Sequence, residues 1–295
     1  MLTKNQFDVL DCIASSEKKL SQRTIASQTN LSVGTVNKLL TKLTNDGLIE
    51  KNKITEKGLE SLEPYKVDTA IIIAAGFGSR LIPITLNTPK PLIRVKGKRL
   101  IETTLDALVK VGITNIYIVK GYLGEQFDVL LNKYPTIKFI TNDQFNESNN
   151  ISSIFAAKEH LSNSYIIEAD LLLSNDSLIR KYQYSSNYMG IPVEETDDWC
   201  LYTNNKVISK VAIGGKNCYK MVGISYWNTQ DGQTLSKDIE KVFTSPGGKE
   251  RYWDQVPLEY CKENYKLNIR TCTEEDIVEI DTFNELKAID KAYDV

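Results

Sequence analysis

Four residues that could bind a polyphosphate follow a short apolar run: Gly76, Gly78, Arg80 and Lys90. The run itself, TAIIIAA from Thr69 to Ala75, is β-branched and uncharged, which predicts a strand covered on both faces. Glycine has no side chain, so its backbone N–H group can turn toward a phosphate and approach it closely. The arginine can bind two phosphate oxygens at once, and the lysine adds a point charge. The spacing therefore predicts a phosphate-binding loop directly after a buried strand.

The same glycine pair is compatible with an ordinary turn between a strand and a helix. The segment is not a Walker motif, which needs GK followed by Ser or Thr, and Leu81 occupies the third glycine position of GxGxxG. Pro89 and Pro91 stiffen the backbone on either side of Lys90. The residues alone leave both interpretations, turn and phosphate loop, open.

Taken whole, AAGFGSRLIPITLNTPKPLIRVKGKRLIE resembles the signature of the nucleotidyltransferases that join a nucleoside triphosphate to a phosphorylated metabolite. The resemblance implies that the glycine loop wraps the triphosphate. It also implies that Arg80 and Lys90 are catalytic, because they stabilise the charge that develops as pyrophosphate leaves. The predicted nucleotide-binding residues are Ala75, Gly76, Gly78, Ser79, Gly121, Gln126, Asn142 and Asn150.

Three carboxylates stand where a cation could be held. Asp170 follows the apolar run SYIIEA, at the carboxyl end of a strand, where ligands of open α/β sheets bind. Glu279 and Asp281 flank Ile280, so in an extended strand they point to the same side. Such carboxylates repel each other unless they share a cation, and Mg²⁺ prefers hard oxygen ligands. A turn aspartate and a solvated strand face are the alternatives. The resemblance favours Mg²⁺ held by Asp170 and Asp281, with Glu279 close by.

From Val67 onward the chain is similar to the small bacterial CTP:phosphocholine cytidylyltransferases of the LicC type, over nearly all of residues 68–290. The similarity includes GYLGEQFDVL, the ND…NN pattern from Asn142 to Asn150, YIIEAD, YWDQ and VEID. A quaternary ammonium cannot donate hydrogen bonds, so proteins hold it with aromatic faces and nearby carboxylates. The predicted substrate-binding residues are Asp198, Trp199, Tyr219, Trp253 and Asp254. Core packing is the alternative for each aromatic, and a solvated loop is the alternative for the acidic run before Trp199.

The resemblance, together with these residues, implies Mg²⁺-dependent transfer of CMP from CTP to phosphocholine, which gives CDP-choline and pyrophosphate. No general base is needed, because the attacking phosphate is already an anion near neutral pH. A primary ammonium, as in 2-aminoethylphosphonate or phosphoethanolamine, suits the same acidic pocket. Two further alternatives are a sugar-1-phosphate nucleotidyltransferase and a transcription regulator that senses CTP or a choline metabolite. Intact Lys90, Asp170 and Asp281 argue against a purely sensory domain.

Strands alternate with helices after the first 65 residues, and this alternation must position the site. The predicted strands are Thr69–Ala75, Asn115–Lys120, Ile137–Thr141 and Ser164–Ala169. The predicted helices lie near Leu100–Val111, Glu125–Asn132 and Ile151–Leu161. The alternation predicts an α/β fold in residues 66–295, with a Rossmann-like, mixed but mostly parallel sheet covered on both sides.

Residues 1–65 predict a separate small domain. Ser21 and Ser32 are placed to cap a second and a third helix, and the third stops at Gly47. The segment LIEKNKITEKGLESL fits two short strands and a tail helix. The string LSVGTVNKLLTKLTNDGLIEK resembles the recognition helix and wing of MarR-type winged helix-turn-helix domains.

That resemblance implies DNA as a partner. Phosphate contacts are expected from Arg23, Lys38, Lys42, Lys51 and Lys53, and base contacts from Thr35 and Asn37. Lys and Arg number nine in this domain against eight Asp and Glu, a weak version of the basic footprint that DNA binding normally shows. A protein-interaction or dimerisation module is the alternative.

Composition limits the function classes. The chain of 295 residues is 41% hydrophobic with a net charge of −2, which gives no overall attraction to nucleic acid or anionic membrane. Five scattered cysteines and the single His160 disfavour a disulfide framework, a zinc site and a hydrolase triad. No apolar run approaches the length of a bilayer span. We expect a cytoplasmic enzyme, and its assembly stays open, with a homodimer as one alternative.

Overall fold

The computed structural model describes residues 1–16 and 18–294. The chain divides into two compact units. The first contains Met1–Lys66 together with Tyr182–Tyr184, and the second contains the rest of the described chain.

The first unit is a helix-turn-helix followed by a hairpin, as the sequence predicts. Its elements are α1 (Lys4–Ala14), α2 (Gln22–Thr29), α3 (Val33–Asn45), β1 (Ile49–Glu50), β2 (Lys53–Ile54) and α4 (Glu56–Leu62). The side chains of Ser21 and Ser32 accept hydrogen bonds from the N–H groups of Thr24 and Thr35, so both predicted caps are confirmed. The strands β1 and β2 pair antiparallel and form the wing.

Three residues from far along the chain complete the core of this first unit. Tyr182 is buried in the apolar cluster formed by its helices. The rings of Phe7, Tyr65 and Tyr184 contact one another, with centroids 5.0 to 5.4 Å apart. The small unit therefore depends on the later segment Tyr182–Tyr184 for part of its packing.

The second unit alternates strands and helices. Its strands are β3 (Thr69–Ala74), β4 (Arg94–Val95), β5 (Lys98–Arg99), β6 (Asn115–Lys120), β7 (Lys138–Thr141), β8 (Ser164–Glu168), β9 (Leu171–Leu173), β10 (Asn187–Asn204), β11 (Val207–Trp227), β12 (Asn268–Thr271) and β13 (Ile277–Glu279). Its helices are α5 (Leu100–Lys110), α6 (Ile151–Ala156), α7 (Thr229–Phe243) and α8 (Phe283–Ile289).

Seven of these strands form one mixed sheet in the order β10-β12-β11-β8-β3-β6-β7. The neighbours β8, β3, β6 and β7 are parallel, whereas β11 runs antiparallel to β8 and to β10. Ile71 and Ile72 of β3 are fully buried and enter two different apolar clusters, so the sheet is covered on both sides. Because the four neighbouring strands β8, β3, β6 and β7 are parallel, the loops after their carboxyl ends meet at one edge of the sheet.

Two predicted helices differ from the observed ones. Gly124–Asn132 is a 3₁₀ helix rather than an α-helix. Its buried residues, Phe127 and Leu130, are three positions apart and align along a 3₁₀ helix of three residues per turn. The helix predicted from Ile151 to Leu161 ends at Ala156, and a 3₁₀ turn spans Lys158–His160.

All five cysteines are free, and the His160 ring stacks on Tyr117 with centroids 3.9 Å apart. None of the helices in the described part of the chain combines the length and the hydropathy that crossing a bilayer requires.

Candidate active site

The glycine loop begins one residue after β3 and turns at Gly78. This residue has φ of 63°, in the left-handed region that favours glycine. A Cβ atom at Gly78 would lie 3.0 Å from Cβ of Lys90 and 3.0 Å from Cγ2 of Thr85. The carbonyl of Gly78 accepts a hydrogen bond from Thr85 Oγ1 at 3.0 Å. The loop therefore approaches the TPKPL segment closely, and Lys90 lies against it.

The outer part of the loop is open. Gly76 and Ser79 are exposed, and no atom lies within 4 Å of the point where Gly76 would carry a Cβ. Ala75 is buried, and its carbonyl accepts a hydrogen bond from Tyr122 N–H at 3.1 Å, which joins the loops after β3 and β6. The backbone of this loop is thus both fixed and accessible, as phosphate binding requires.

Lys90 connects two acidic residues that are remote in sequence. Its Nζ donates a hydrogen bond to Asp170 Oδ2 at 2.8 Å and another to Asp281 Oδ1 at 2.9 Å. Burial by itself lowers the pKa of Lys90, but the two carboxylates outweigh burial and raise that pKa above its ordinary value. Arg80 Nη2 donates to the same Asp281 oxygen at 2.7 Å, although the guanidinium is exposed. The two predicted catalytic cations therefore converge on one carboxylate.

Three carboxylates form a tighter group beside Lys90. One oxygen each of Glu168, Asp170 and Glu279 lies within 4.8 Å of the others. The antiparallel pair β9–β13 places Glu279 opposite Leu171, next to Asp170. The strand β13 ends at Glu279, so the alternation predicted through Asp281 stops there, and Asp281 turns to Lys90 instead.

The electrostatics of this group favour a bound cation. Burial first, and then the neighbouring charge of Asp170, raise the pKa of Glu279 to about 9. The same two causes raise the pKa of Glu168 well above its ordinary value. Asp170 Oδ1 is buried and has no hydrogen-bond partner among residues 1–16 and 18–294. Asp170, together with Asp281 on the other side of Lys90, offers the hard oxygen ligands that Mg²⁺ prefers, so the residues present fit this ion.

Glu168 is a site residue that the sequence reasoning missed. It ends β8 and stands two positions before Asp170, so both can face the same side of an extended chain. A Cβ at Gly223 would lie 2.7 Å from Glu168 Cγ, so the glycine on β11 leaves room for this side chain. The signal was the spacing E-A-D in YIIEAD.

The amide groups predicted to bind the nucleotide have internal partners. Asn142 is buried, and its Nδ2 donates to Ser152 Oγ and Ser153 Oγ. Gln126 Nε2 donates to the carbonyl of Asn87 at 2.9 Å. Asn150 Oδ1 accepts from Trp253 N–H at 2.9 Å. Gly121 packs so closely that a Cβ there would lie 2.8 Å from the Phe145 ring. These contacts shape the loops after β6 and β7, and nucleotide binding by the four residues stays a prediction.

The predicted substrate residues fall into two groups. Trp253 is only 1% exposed, with Tyr188 stacked on it and Trp227 against its edge. Asp254 is buried and accepts a hydrogen bond from Tyr188 Oη. Burial raises the pKa of Asp254 to about 7, and the tyrosine bond partly offsets this rise.

The second group lies nearer the surface. Trp199 is partly buried and packs edge-on against Tyr252, with ring centroids 5.9 Å apart. Tyr219 is partly buried as well. Asp198 is exposed, its Oδ1 accepts from Trp199 N–H, and its charge contributes to the raised pKa of Glu279. Asp198 is therefore close enough to Glu279 to act on it electrostatically.

The residues predicted to contact DNA lie on two helices, α2 and α3, and on the hairpin of the first unit. The five basic residues among them are all exposed: Arg23, Lys38, Lys42, Lys51 and Lys53. Asn37 is exposed, and its Nδ2 donates to Gln22 Oε1 at 3.3 Å, whereas Thr35 is partly buried beside its cap Ser32.

Comparison with known proteins identifies both units. The profile of the nucleotidyl transferase family matches residues 69–189, and that of winged helix-turn-helix DNA-binding domains matches residues 2–50. The chain is 38% identical over 229 residues to a 2-aminoethylphosphonate cytidylyltransferase of Lancefieldella rimae, which covers 76% of this chain and 92% of the relative. It is 37% identical over 223 residues to a choline-phosphate cytidylyltransferase of Haemophilus influenzae, which covers 73% of this chain and 93% of the relative.

A solved structure agrees with these relatives. The CTP:phosphocholine cytidylyltransferase of Streptococcus pneumoniae superposes with a TM-score of 0.71 at 33% identity, over 77% of this chain and 99% of that protein. The chain therefore belongs to the cytidylyltransferases of the nucleotidyl transferase family, as an enzyme of the CTP:phosphocholine cytidylyltransferase-like type that acts on a phosphorylated small molecule and carries a winged helix-turn-helix domain at its N-terminus.

Proposed function

We propose that the enzyme transfers CMP from CTP to a small phosphonate or phosphate that carries a primary ammonium, with 2-aminoethylphosphonate as the preferred acceptor. The observation that carries the proposal is the set of carboxyl groups of Glu168, Glu279 and Asp254. Within the described part of the chain, no lysine or arginine forms an ion pair with any of the three, and the nearby cations bind Asp170 and Asp281. A primary ammonium has three N–H donors, which these acceptors can bind.

The raised pKa values support this assignment. A carboxyl group that is costly to ionise in the free protein becomes a favourable partner once a cation lies beside it. Glu168, Glu279 and Asp254 all have raised pKa values for the same first cause, burial. The name of the L. rimae relative, a 2-aminoethylphosphonate cytidylyltransferase, agrees with the proposal.

Phosphocholine is the second candidate acceptor. Its quaternary ammonium has no N–H donor and needs open aromatic faces. Trp253 does not offer one, because it is covered by Tyr188 and Trp227. The specific observation in favour of phosphocholine is the pair of Trp199 and Tyr252 near the surface, together with the relatives named for choline phosphate.

The chain's own residues suit an in-line displacement at the α-phosphorus. An acceptor phosphonate oxygen forms the new P–O bond while the bond to the bridging oxygen of the β-phosphate breaks, and pyrophosphate leaves. The glycine loop holds the triphosphate, and Lys90 and Arg80 offset the negative charge that grows on the leaving group. We assign Asp170 and Asp281 to a Mg²⁺ ion, with Glu279 close by. When bound, this ion supplies further charge neutralisation at the phosphates.

The test is pyrophosphate release from CTP with four acceptors: 2-aminoethylphosphonate, phosphoethanolamine, phosphocholine and glucose 1-phosphate. Phosphoethanolamine and phosphocholine differ only in the methylation of nitrogen. 2-Aminoethylphosphonate differs from phosphoethanolamine only in lacking the ester oxygen, so that its carbon is bonded directly to phosphorus. We expect a higher kcat/KM for the two primary amines than for phosphocholine. A preference for phosphocholine would establish the second candidate instead. Release with glucose 1-phosphate alone would overturn both.

The substitution Glu168→Gln tests the proposed role of the carboxyl group. It keeps the size of the side chain and removes its charge, so KM for the primary amine should rise on the order of 10-fold, the effect of losing a charged hydrogen bond. KM for CTP and the Mg²⁺ requirement should stay close to wild type, and Glu263→Gln, at an exposed position, is the matched control. An unchanged KM for the amine would show that Glu168 does not bind it.

We also propose that the first unit binds DNA. The support is the profile match to residues 2–50 and the exposed Lys38, Lys42 and Asn37 on α3, the helix that enters the major groove in such domains.

A further inference from the structure

Three aromatic rings meet beside the glycine loop, and each comes from the loop after a different parallel strand. Phe77 follows β3, Tyr122 follows β6 and Phe145 follows β7. The ring centroid of Phe77 lies 5.0 Å from that of Tyr122 and 5.3 Å from that of Phe145. These strands are neighbours in the sheet, so the three rings form one aromatic cluster at its carboxyl edge.

Two of the rings are held firmly. Tyr122 N–H donates to the carbonyl of Ala75 at 3.1 Å, and its Oη donates to the carbonyl of Thr85 at 3.0 Å. Phe145 packs onto Gly121, where even a Cβ would come within 2.8 Å of its ring. Tyr122 and Phe145 therefore provide a fixed support for the third ring.

Phe77 stands on this support between the two loop glycines and is 45% exposed. A large apolar ring in the middle of a phosphate-binding loop leaves an aromatic surface in water. Every nucleobase has a flat face, and stacking on aromatic side chains is a common way for proteins to hold one. We infer that Phe77, supported by Tyr122 and Phe145, stacks on the cytosine of CTP. The inference rests on the proposed use of CTP at the glycine loop.

The order of the strands supports this placement. The sheet runs β8-β3-β6-β7, so the carboxylates after β8 lie on one side of the glycine loop and the aromatic cluster lies on the other. A nucleoside triphosphate is similarly divided, with an aromatic base at one end and charged phosphates at the other. With the base on Phe77, the phosphates extend over the glycine loop toward Lys90 and Asp170.

Stacking contributes affinity but little selectivity for cytosine over uracil, because both bases present a flat ring. The cluster therefore predicts equal losses for CTP and UTP when the ring is removed. Discrimination between the two bases must come from hydrogen-bonding groups elsewhere in the site.

The test compares Phe77→Leu with wild type, and Tyr260→Leu, another exposed aromatic, serves as the control. KM for CTP and the inhibition constant of ribose 5-triphosphate, which lacks the base, are measured together. We expect Phe77→Leu to raise KM for CTP by about 5- to 100-fold, as for a lost base stack, with kcat retained and ribose triphosphate binding unchanged. An unchanged KM for CTP, or equal weakening of CTP and ribose triphosphate, would overturn the inference. A wild-type enzyme that releases no pyrophosphate from CTP would instead overturn the proposed function.

Discussion

The ammonium group of Lys90 binds Asp170 and Asp281 at the same time, with Nζ–O distances of 2.8 and 2.9 Å. One carboxylate follows β8 and the other follows β13, so the lysine joins two parts of the site that no local sequence feature connects. Because Lys90 also lies against Gly78, the glycine loop and the acidic group share one cation. A phosphate bound by the glycine loop would therefore lie close to the ammonium group of Lys90 and to the acidic group that Lys90 contacts.

The first prediction concerns Asp170. Asp170→Asn keeps an oxygen that can accept the Lys90 hydrogen bond, so the protein should fold, but it removes the charge assigned to Mg²⁺. We expect pyrophosphate release to be abolished.

Mg²⁺ should raise the Tm of wild type, because an ion that binds only the folded state stabilises it. The Asp170→Asn variant should lose most of this rise in Tm.

The control for this experiment is Asp176→Asn, since Asp176 is exposed and pairs with Lys110 at the surface. It should retain turnover and the Mg²⁺-dependent rise in Tm. Undiminished pyrophosphate release by Asp170→Asn would exclude the proposed role of this carboxylate.

The second prediction separates the backbone cost of the glycine loop from its function. Gly78→Ala forces a side chain into a left-handed conformation and brings its Cβ to 3.0 Å from Lys90, so it should lower both stability and kcat. Gly97→Ala is a matched control, because Gly97 also has positive φ, 85°, but no atom lies within 4 Å of its Cβ position.

Gly97→Ala should lose about 1 to 2 kcal/mol of unfolding free energy from the left-handed backbone, and Gly78→Ala should lose more, because its Cβ also meets Lys90 and Thr85 at 3.0 Å. Only Gly78→Ala should lose activity, because only there does the new atom press on Lys90, the lysine proposed to be catalytic. Equal kcat values for the two variants would contradict the close packing of Gly78 on Lys90.

Much of this site could be predicted from local sequence. The apolar run of β3 marks a buried strand with glycines directly after it, and Asp170 follows a second strand whose apolar pattern is clear. The pairing of Lys90 with Asp281 could not be predicted, because it depends on how β13 packs against β9. Glu168 was missed because its only local signal is the E-A-D spacing with Asp170, and an acidic residue at the end of a buried strand can equally face solvent.

The aromatic residues show a second limit. Trp253 and Trp199 each stand next to an aspartate in the sequence, which gave both the same predicted role. Trp253 is buried between other rings, whereas Trp199 lies near the surface. Core packing and ligand binding demand the same residue types, so only tertiary structure separates them. The packing of Tyr182–Tyr184 into the first unit is likewise a long-range contact, and no local sequence pattern predicts it.

The third prediction is a pH dependence of stability that originates at Asp254. Its pKa is about 7 in the folded protein against 3.8 for the ordinary side chain, mainly because it is buried. A raised pKa means that the folded state holds the proton longer than the unfolded state does. Its contribution to stability is therefore complete below pH 3.8 and is lost as pH rises through about 7.

Across that interval the free energy of unfolding of wild type should fall, relative to Asp254→Asn, by at most about 1.4 kcal/mol per pH unit. The measurement is urea-induced unfolding of both proteins at several pH values. Tyr188→Phe removes the hydrogen bond that lowers this pKa, so its curve should continue to fall at higher pH than that of wild type. Parallel curves for wild type and Asp254→Asn would show that Asp254 does not titrate in this range.

The fourth prediction concerns the winged helix domain and DNA. If Lys38 on α3 contacts a phosphate, Lys38→Ala should weaken binding to a fragment from the gene's own promoter region and reduce the slope of log affinity against log salt by about 0.9. Lys4→Ala, on α1, removes a charge from outside the proposed recognition helix and should leave that slope unchanged. Salt-insensitive binding, or equal slopes for both variants, would favour a protein-interaction module instead. The net charge of this domain is small, so binding that depends on a few exposed lysines of α3 should lose a large share of its affinity with each one removed.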